Sequence, residues 1–225
     1  MDFDSFVLCA STADLGAEPA AREHADAVEF RMDLASDPLE ALDDYDGELP
    51  VLATNRAGWE GGEGGDDGAR LDALATAATV EAVEAVDVEL ASVQEGDGRC
   101  VVEQAREADV GVVVSTHDFE GTSDCEAMAS ALDAGLEHGD VAKLAVTATD
   151  RQTVLSLLAL TNEYDHAGDP VATIAMGEAG RHSRVVAPLY GSRIGYAPLD
   201  PSDATAPGQF DLATTARLVD QLSPQ

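Results

Sequence analysis

Eight short apolar runs rich in Val, Ile and Leu recur along the chain at fairly even spacing, and they constrain the fold more than any other feature. They are FVLCAS (6–11), AVEFRMDL (27–34), LPVLATN (49–55), AVDVELA (85–91), VGVVVSTHDF (110–119), VAKLAVTA (141–148), PVATIAMG (170–177) and SRIGYAPL (192–199). Each reads as a strand, and the segments between them carry helical spacing, as in Leu71, Leu74, Ala75 and Ala78 or Leu212, Ala216, Val219 and Leu222. Ser123 followed by Glu126 has the spacing of a capping box and marks one helix start. Strands alternating with helices imply parallel pairing, right-handed crossovers and a sheet covered on both faces. Eight such units favour an α/β fold of the closed (β/α)8 TIM-barrel type over an open doubly wound sheet. No Gly-x-Gly-x-x-Gly opens the first unit, which weakens a dinucleotide-binding reading. The 225 residues suffice for one large core, so residues 1–225 are expected to form a single barrel domain.

Charge narrows the partners. With 44 Asp and Glu against 12 Lys and Arg, the formal charge is -32, which would repel nucleic acid and anionic membranes. The acids are scattered, and hydrophobic residues still make up 45% of the chain, so a globular protein with an acidic skin is expected, not a disordered acidic tail. Such a skin suits a protein soluble at high salt, where screening removes most self-repulsion. Cys9, Cys100 and Cys125 are odd in number and widely spaced, which suggests neither a disulfide framework nor a metal knuckle and fits small buried thiols in a reducing cytoplasm. The amino-terminal residues are acidic where a secretory signal needs basic ones, and no apolar stretch approaches a membrane span of about 18 residues. The cytoplasm is the expected compartment.

In a barrel of this kind the chemistry sits at the carboxyl ends of the strands. The second strand ends with Glu29, Arg31 and Asp33, which alternate and can share an inward face. Arg56 and Glu60 follow the third, His117 and Asp118 end the fifth, Arg184 follows the seventh and Gln209 the eighth. The sixth strand carries Lys143, the only lysine in the chain. Its position alone leaves two readings equal: an amine whose charged form is disfavoured by desolvation, free to form a Schiff base with a carbonyl, or a cation paired with an inward acid to fill the barrel. The lack of any other lysine tips the balance, because arginine could fill a purely electrostatic role and a guanidinium cannot make an imine. His117 ends the neighbouring strand and is the natural proton carrier, whereas His24, His138, His166 and His182 fall in helices or loops and are expected to face solvent. No His or Cys pair has ligand spacing, so no metal is expected.

The stretch RAGWEGGEGGDDG (56–68) holds six glycines. A phosphate cradle would want a lysine or a clean helix N-terminus beside them, whereas this segment carries Glu60, Glu63, Asp66 and Asp67. It reads as a flexible loop able to close over a site.

Taken together, EFRMD (29–33), NRAGWEGG (55–62), STHDF (115–119), AKLAV (142–146), MGEAGRHSR (176–184), YGS (190–192) and APGQ (206–209) resemble the type I 3-dehydroquinate dehydratases, (β/α)8 barrels that use a lysine Schiff base. VDVEL (86–90) also looks like the family, with no role assigned to its acids. The resemblance implies that Lys143 is the Schiff-base lysine, His117 the general acid and base, and Glu60 its hydrogen-bond partner. It implies that Arg184 and Gln209 hold the substrate carboxylate and that Glu29, Arg31 and Arg56 contact ring hydroxyls. Thr205 stands where the family often has serine, keeping the hydroxyl and adding a methyl. The implied substrate is 3-dehydroquinate, with no cofactor and a homodimeric assembly, and the arginines would have to build a positive pocket inside a negative protein. A class I aldolase, also an imine-forming barrel, and a barrel that only binds an anionic metabolite are the alternatives.

Overall fold

A computed structural model describes residues 1–121, 124–199 and 209–223. Eight strands form one parallel sheet: β1 (Val7–Thr12), β2 (Ala27–Arg31), β3 (Val51–Thr54), β4 (Val83–Glu89), β5 (Gly111–Asp118), β6 (Val141–Thr147), β7 (Val171–Met176) and β8 (Ile194–Pro198). Every one of the apolar runs supplies a strand. The sheet runs from β7 in steps back to β1 and then to β8, so it curls through all eight strands. β1 and β2 are joined by a 3-10 turn (Leu15–Ala20), and β2 and β3 by α1 (Pro38–Asp43). α2 (Asp67–Ala77) follows β3, α3 (Leu90–Glu95) and α4 (Gly98–Glu107) follow β4, and α5 (Cys125–Leu136) and α6 (Arg151–Ala167) follow β5 and β6. α7 (Gly177–Gly180) and α8 (Ser183–Val186) follow β7, and α9 (Leu212–Leu222) ends the described fold. Among the described residues no helix is long and apolar enough to cross a membrane.

Alternation along each strand splits the core in two. Outward residues such as Val28, Phe30, Val51, Val86 and Val112 pack against Leu71 and Leu74 of α2 and Val101 of α4 in one buried cluster. Leu144 and Val146 of β6 meet Met128 and Leu132 of α5 and Leu157 of α6 in another. Each fully buried Leu or Phe contributes about 1.5–3 kcal/mol, so the packing of helices on the sheet supplies much of the fold's stability. Inward residues at the amino ends of the strands, among them Val7, Cys9, Ala27, Leu52, Ala85, Val113, Val141, Ala172 and Ile194, form a separate apolar plug. Register does the rest, because the next inward positions toward the carboxyl ends are polar: Ser11 pairs with Glu29, Thr54 with Asp87, Glu89 with Ser115, and Ser115 with Lys143. The barrel is therefore apolar below and charged above.

Several local expectations change. Cys9 is buried, but Cys100 and Cys125, on the outer helices α4 and α5, are exposed. α5 begins one residue beyond the capping box read from the sequence: Ser123 lies outside the described residues, and the side chain of Asp124 accepts from the Ala127 N–H. Asp66, Asp150 and Asp211 cap α2, α6 and α9 in the same way, so part of the acidic complement sits at helix amino ends, where the macrodipole favours it. In α9, Leu212 is buried but Leu222 is 45% exposed, so the apolar stripe does not pack along its whole length. Closure between β7 and β8 is partial. A bridge joins Val171 to Ser192, and beyond it the Thr173 and Ala175 N–H groups donate to Ser192 Oγ (3.0 Å) and Ser183 Oγ (3.3 Å) in place of strand carbonyls.

Candidate active site

A pocket at the carboxyl end of the barrel encloses about 610 Å³, open space at its mouth included. Glu29, Arg31, Arg56, Glu60, His117, Lys143, Arg184 and Gln209 all line it. Thr205 lies outside the described residues. His24, His138, His166 and His182 are partly or fully exposed and none reaches the pocket. Asp33 does not enter either: it falls in the 3-10 turn Met32–Leu34 after β2, so the strand's alternation has already ended. Its carboxylate instead accepts Arg31 Nε and Nη2 at 2.9 and 2.8 Å, and the Arg56 and Glu63 N–H groups, which tethers the glycine-rich loop to β2.

Lys143 is 5% exposed and stands on β6 among inward neighbours from β4 and β8. Its Nζ donates to Asp87 Oδ2 at 2.9 Å and lies 4.4 Å from the centre of the Tyr196 ring. The amine is thus not isolated in apolar surroundings, as its strand suggested; it is held by a carboxylate supplied by a different strand. Asp87 also accepts from Ser115 Oγ at 2.6 Å and meets Arg56 Nη2 at 2.7 Å. Desolvation alone would raise the Asp87 carboxyl, but Arg56 and Lys143 outweigh it and hold Asp87 below the usual carboxylate range. Arg56 is shared further with Glu89 Oε1 (3.2 Å), whose other oxygen takes Arg70 Nη1 of α2 (2.8 Å). Asp87 and Glu89, the acids of VDVEL, are thus the anionic frame of the site, and Ser115 and Arg70 belong to it. Alternation on β4 placed them inward, and the same reasoning that singled out Glu29 and Arg31 could have found them.

His117 Nδ1 lies 2.7 Å from Glu60 Oε2, as the resemblance implied. Burial, then Arg56 and Lys143, push the imidazole well below its ordinary pKa, so His117 is neutral near pH 7 and does not titrate near 6.5. Burial lifts the Glu60 carboxyl to about 7 against the pull of Arg56, with Glu89 adding to the rise. Phe119 stacks on the imidazole, ring centres 5.8 Å apart, and covers Gly61. The loop carrying Glu60 is tied to itself by backbone hydrogen bonds. Gly58 and Gly64 N–H donate to Gly64 and Arg56 carbonyls, and a Cβ on Gly62 would sit 2.2 Å from the Arg56 carbonyl oxygen. Asp66 takes up the exposed N–H of α2, leaving no clean helix end for a phosphate.

The positive pocket is narrower than three arginines would make it. Arg31 is matched by Asp33, and Arg56 by Asp87 and Glu89. Arg184 on α8 is different: its Nε and Nη2 are buried with no hydrogen-bond partner among the described residues, and desolvation pulls its pKa down to about 10. A buried, unpaired guanidinium is costly unless a ligand anion meets it. Glu29 is fixed by Ser11 Oγ on one oxygen and Thr54 Oγ1 (3.2 Å) on the other. Among the described residues no group of three or more His, Cys, Asp or Glu is arranged to hold a metal ion. Among the described residues the arrangement brings together in one pocket an amine held by a carboxylate, a neutral imidazole and an arginine whose Nε and Nη2 have no hydrogen-bond partner.

The family model described as Type I 3-dehydroquinase matches residues 10–223. The 3-dehydroquinate dehydratase of Haloarcula marismortui is 57% identical over 225 residues, covering 99% of this chain and 98% of that protein. That of Halobacterium salinarum is 54% identical, covering 99% and 100%. Among solved structures, the 3-dehydroquinate dehydratase of Geobacillus kaustophilus superposes with a TM-score of 0.84 at 27% identity, over 97% of this chain and 91% of its own. The type I 3-dehydroquinate dehydratase of Clostridium difficile with covalently modified comenic acid gives 0.84 at 27% identity, over 97% and 92%.

Proposed function

Because this chain belongs to the type I 3-dehydroquinase family, and dehydrates 3-dehydroquinate to 3-dehydroshikimate, we propose that it does so through an imine on Lys143 with His117 carrying the proton. Membership sets the aldolase and the non-catalytic barrel aside. The observation that supports the residue assignment is the convergence on one pocket of Lys143, His117 and Arg184, the last unpaired among the described residues.

In this reading Lys143 Nζ attacks the substrate ketone, water leaves, and a protonated imine forms. The imine withdraws electrons from the adjacent carbon, so its C–H becomes acidic enough for a side-chain base. His117, neutral because it is buried beside Arg56 and Lys143, takes that proton. The electron pair left on carbon expels the hydroxyl one carbon further on, and His117 returns the proton to it as water departs. Hydrolysis of the product imine frees Lys143. Glu60, on Nδ1, sets the tautomer: as a carboxylate it accepts Nδ1–H and leaves the other ring nitrogen bare for the substrate. Asp87 keeps Nζ in place through the cycle, and Arg56 and Glu89 hold Asp87. Arg184 and Gln209 receive the substrate carboxylate, with Thr205 in the same segment, while Glu29, Arg31 and Arg56 meet its hydroxyls. No cofactor enters this scheme.

The test is turnover followed by the absorbance of the conjugated product. Lys143→Arg, which keeps the charge beside Asp87 but cannot form an imine, is expected to abolish turnover while the melting temperature stays close to that of the parent chain. Near-normal activity in that variant would refute the assignment. The same reading places the protein in the cytoplasm as a homodimer, in keeping with three free cysteines, and sedimentation equilibrium measures the assembly.

A further inference from the structure

Buried polar atoms without a partner are rare in folded proteins, and each calls for a ligand or a reason. Among the described residues such side-chain atoms are Arg56 Nη2, Arg184 Nε and Nη2, Arg193 Nε and Tyr196 OH. Arg56 Nη2 has an ion-pair contact with Asp87 at 2.7 Å, and the Arg193 guanidinium is held by Asp165 and the Asp4 carbonyl. The remaining atoms belong to two residues only, Arg184 and Tyr196.

These two residues share a place. The β7–β8 seam, where Ser192 and Ser183 substitute for strand pairing, leaves a small cavity behind the pocket. Ile174, Arg184 and Tyr196 are the residues that line both the pocket and this cavity, so they form the partition between them. Tyr196 is 8% exposed and its ring lies against Lys143 Nζ at 4.4 Å, which fixes the ring in the wall. A phenol hydroxyl is a good donor to an anion, and the partition holds two guanidinium N–H atoms that also lack an acceptor.

We propose that Tyr196 is a further substrate-binding residue, its hydroxyl donating to the substrate carboxylate alongside Arg184 Nε–H and Nη2–H. This rests on the reading of Arg184 as the carboxylate ligand. The ring supports the Lys143 cation, and the hydroxyl supplies the anion subsite with a neutral donor in a protein that has few cations to spend.

The experiment compares 3-dehydroquinate with its carboxamide counterpart, as KM for the first and inhibition constant for the second, in the parent chain, Tyr196→Phe and Arg184→Lys. Tyr196→Phe keeps the ring over Lys143, and it is expected to reduce the preference for carboxylate over carboxamide by about tenfold, the scale of one hydrogen bond to a charged group, with KM rising more than kcat falls. Its melting temperature without ligand is expected to stay level or rise, because an unpartnered hydroxyl has been removed. If Arg184→Lys lowers the preference and Tyr196→Phe does not, the tyrosine proposal fails and the arginine reading stands. If neither lowers it, the arginine reading fails and takes the proposal with it. Equal weakening of acid and amide in Tyr196→Phe would place the hydroxyl on another part of the substrate and overturn the proposal.

Discussion

At the scale of single residues, the 2.7 Å bond between His117 and Glu60 lets the ionisation of one decide the tautomer of the other. Glu60 is raised to about 7 by burial, so near neutrality it is divided between carboxylate and acid. A protonated Glu60 would donate to Nδ1 and place the ring proton on the nitrogen that faces the substrate, leaving no base there. The ratio kcat/KM is therefore expected to rise with pH through about 7 and to fall about tenfold per pH unit well below it. In Glu60→Gln, whose amide can still accept Nδ1–H, that rise near 7 is expected to vanish. A profile unchanged in the variant would assign the limb to another group. The family motifs announced this pair, but not the partner of Lys143. Asp87 reaches the amine directly from two strands away, across β5, and such a contact depends on register, which leaves no local mark on a sequence.

At the scale of elements, strand alternation was the legible part: all eight apolar runs are strands, and the same alternation selects the inward side chains, which are apolar at the amino ends and ionisable at the carboxyl ends. What was not legible is how irregular segments hold themselves. The segment 56–68 looked flexible because of its glycines, yet several of them sit where backbone crosses backbone. Gly62 is packed on the Arg56 carbonyl so closely that a methyl group would be 2.2 Å from the oxygen. Gly62→Ala is thus expected to displace the turn carrying Glu60 and to lower kcat by about tenfold or more, since small misplacements of positioned groups are costly. Steady-state kinetics decides it, and parent-like kcat would show that the loop tolerates the shift. The β7–β8 seam was equally hidden, because serine side chains take over hydrogen bonds that strand patterning assigns to backbone.

At the scale of the whole molecule, a charge of -32 works against both folding and binding of an anion, and among the described residues only Arg184 offers an unmatched positive group in the pocket. At 1 M salt the screening length falls to about 3 Å, which removes most of the surface repulsion and leaves the buried pairs of Asp87, Glu89 and Arg56 largely intact. The melting temperature is accordingly expected to climb from millimolar to molar KCl, and thermal unfolding followed by circular dichroism at a salt series would contradict this if it stayed flat. The acids are not all skin, however: Asp66, Asp124, Asp150 and Asp211 cap helices, and Asp87 and Glu89 build the site. Lysine, by contrast, has been reduced to one residue, which makes the central claim easy to isolate. Besides the amino terminus, Lys143 is the only primary amine in the chain, so a borohydride-reduced imine has a single side chain on which to form. Incubation of the folded protein with 3-dehydroquinate, reduction, and peptide mass spectrometry is expected to show the ligand's mass on the peptide containing Lys143; a peptide left unmodified under turnover conditions would contradict imine catalysis by this residue.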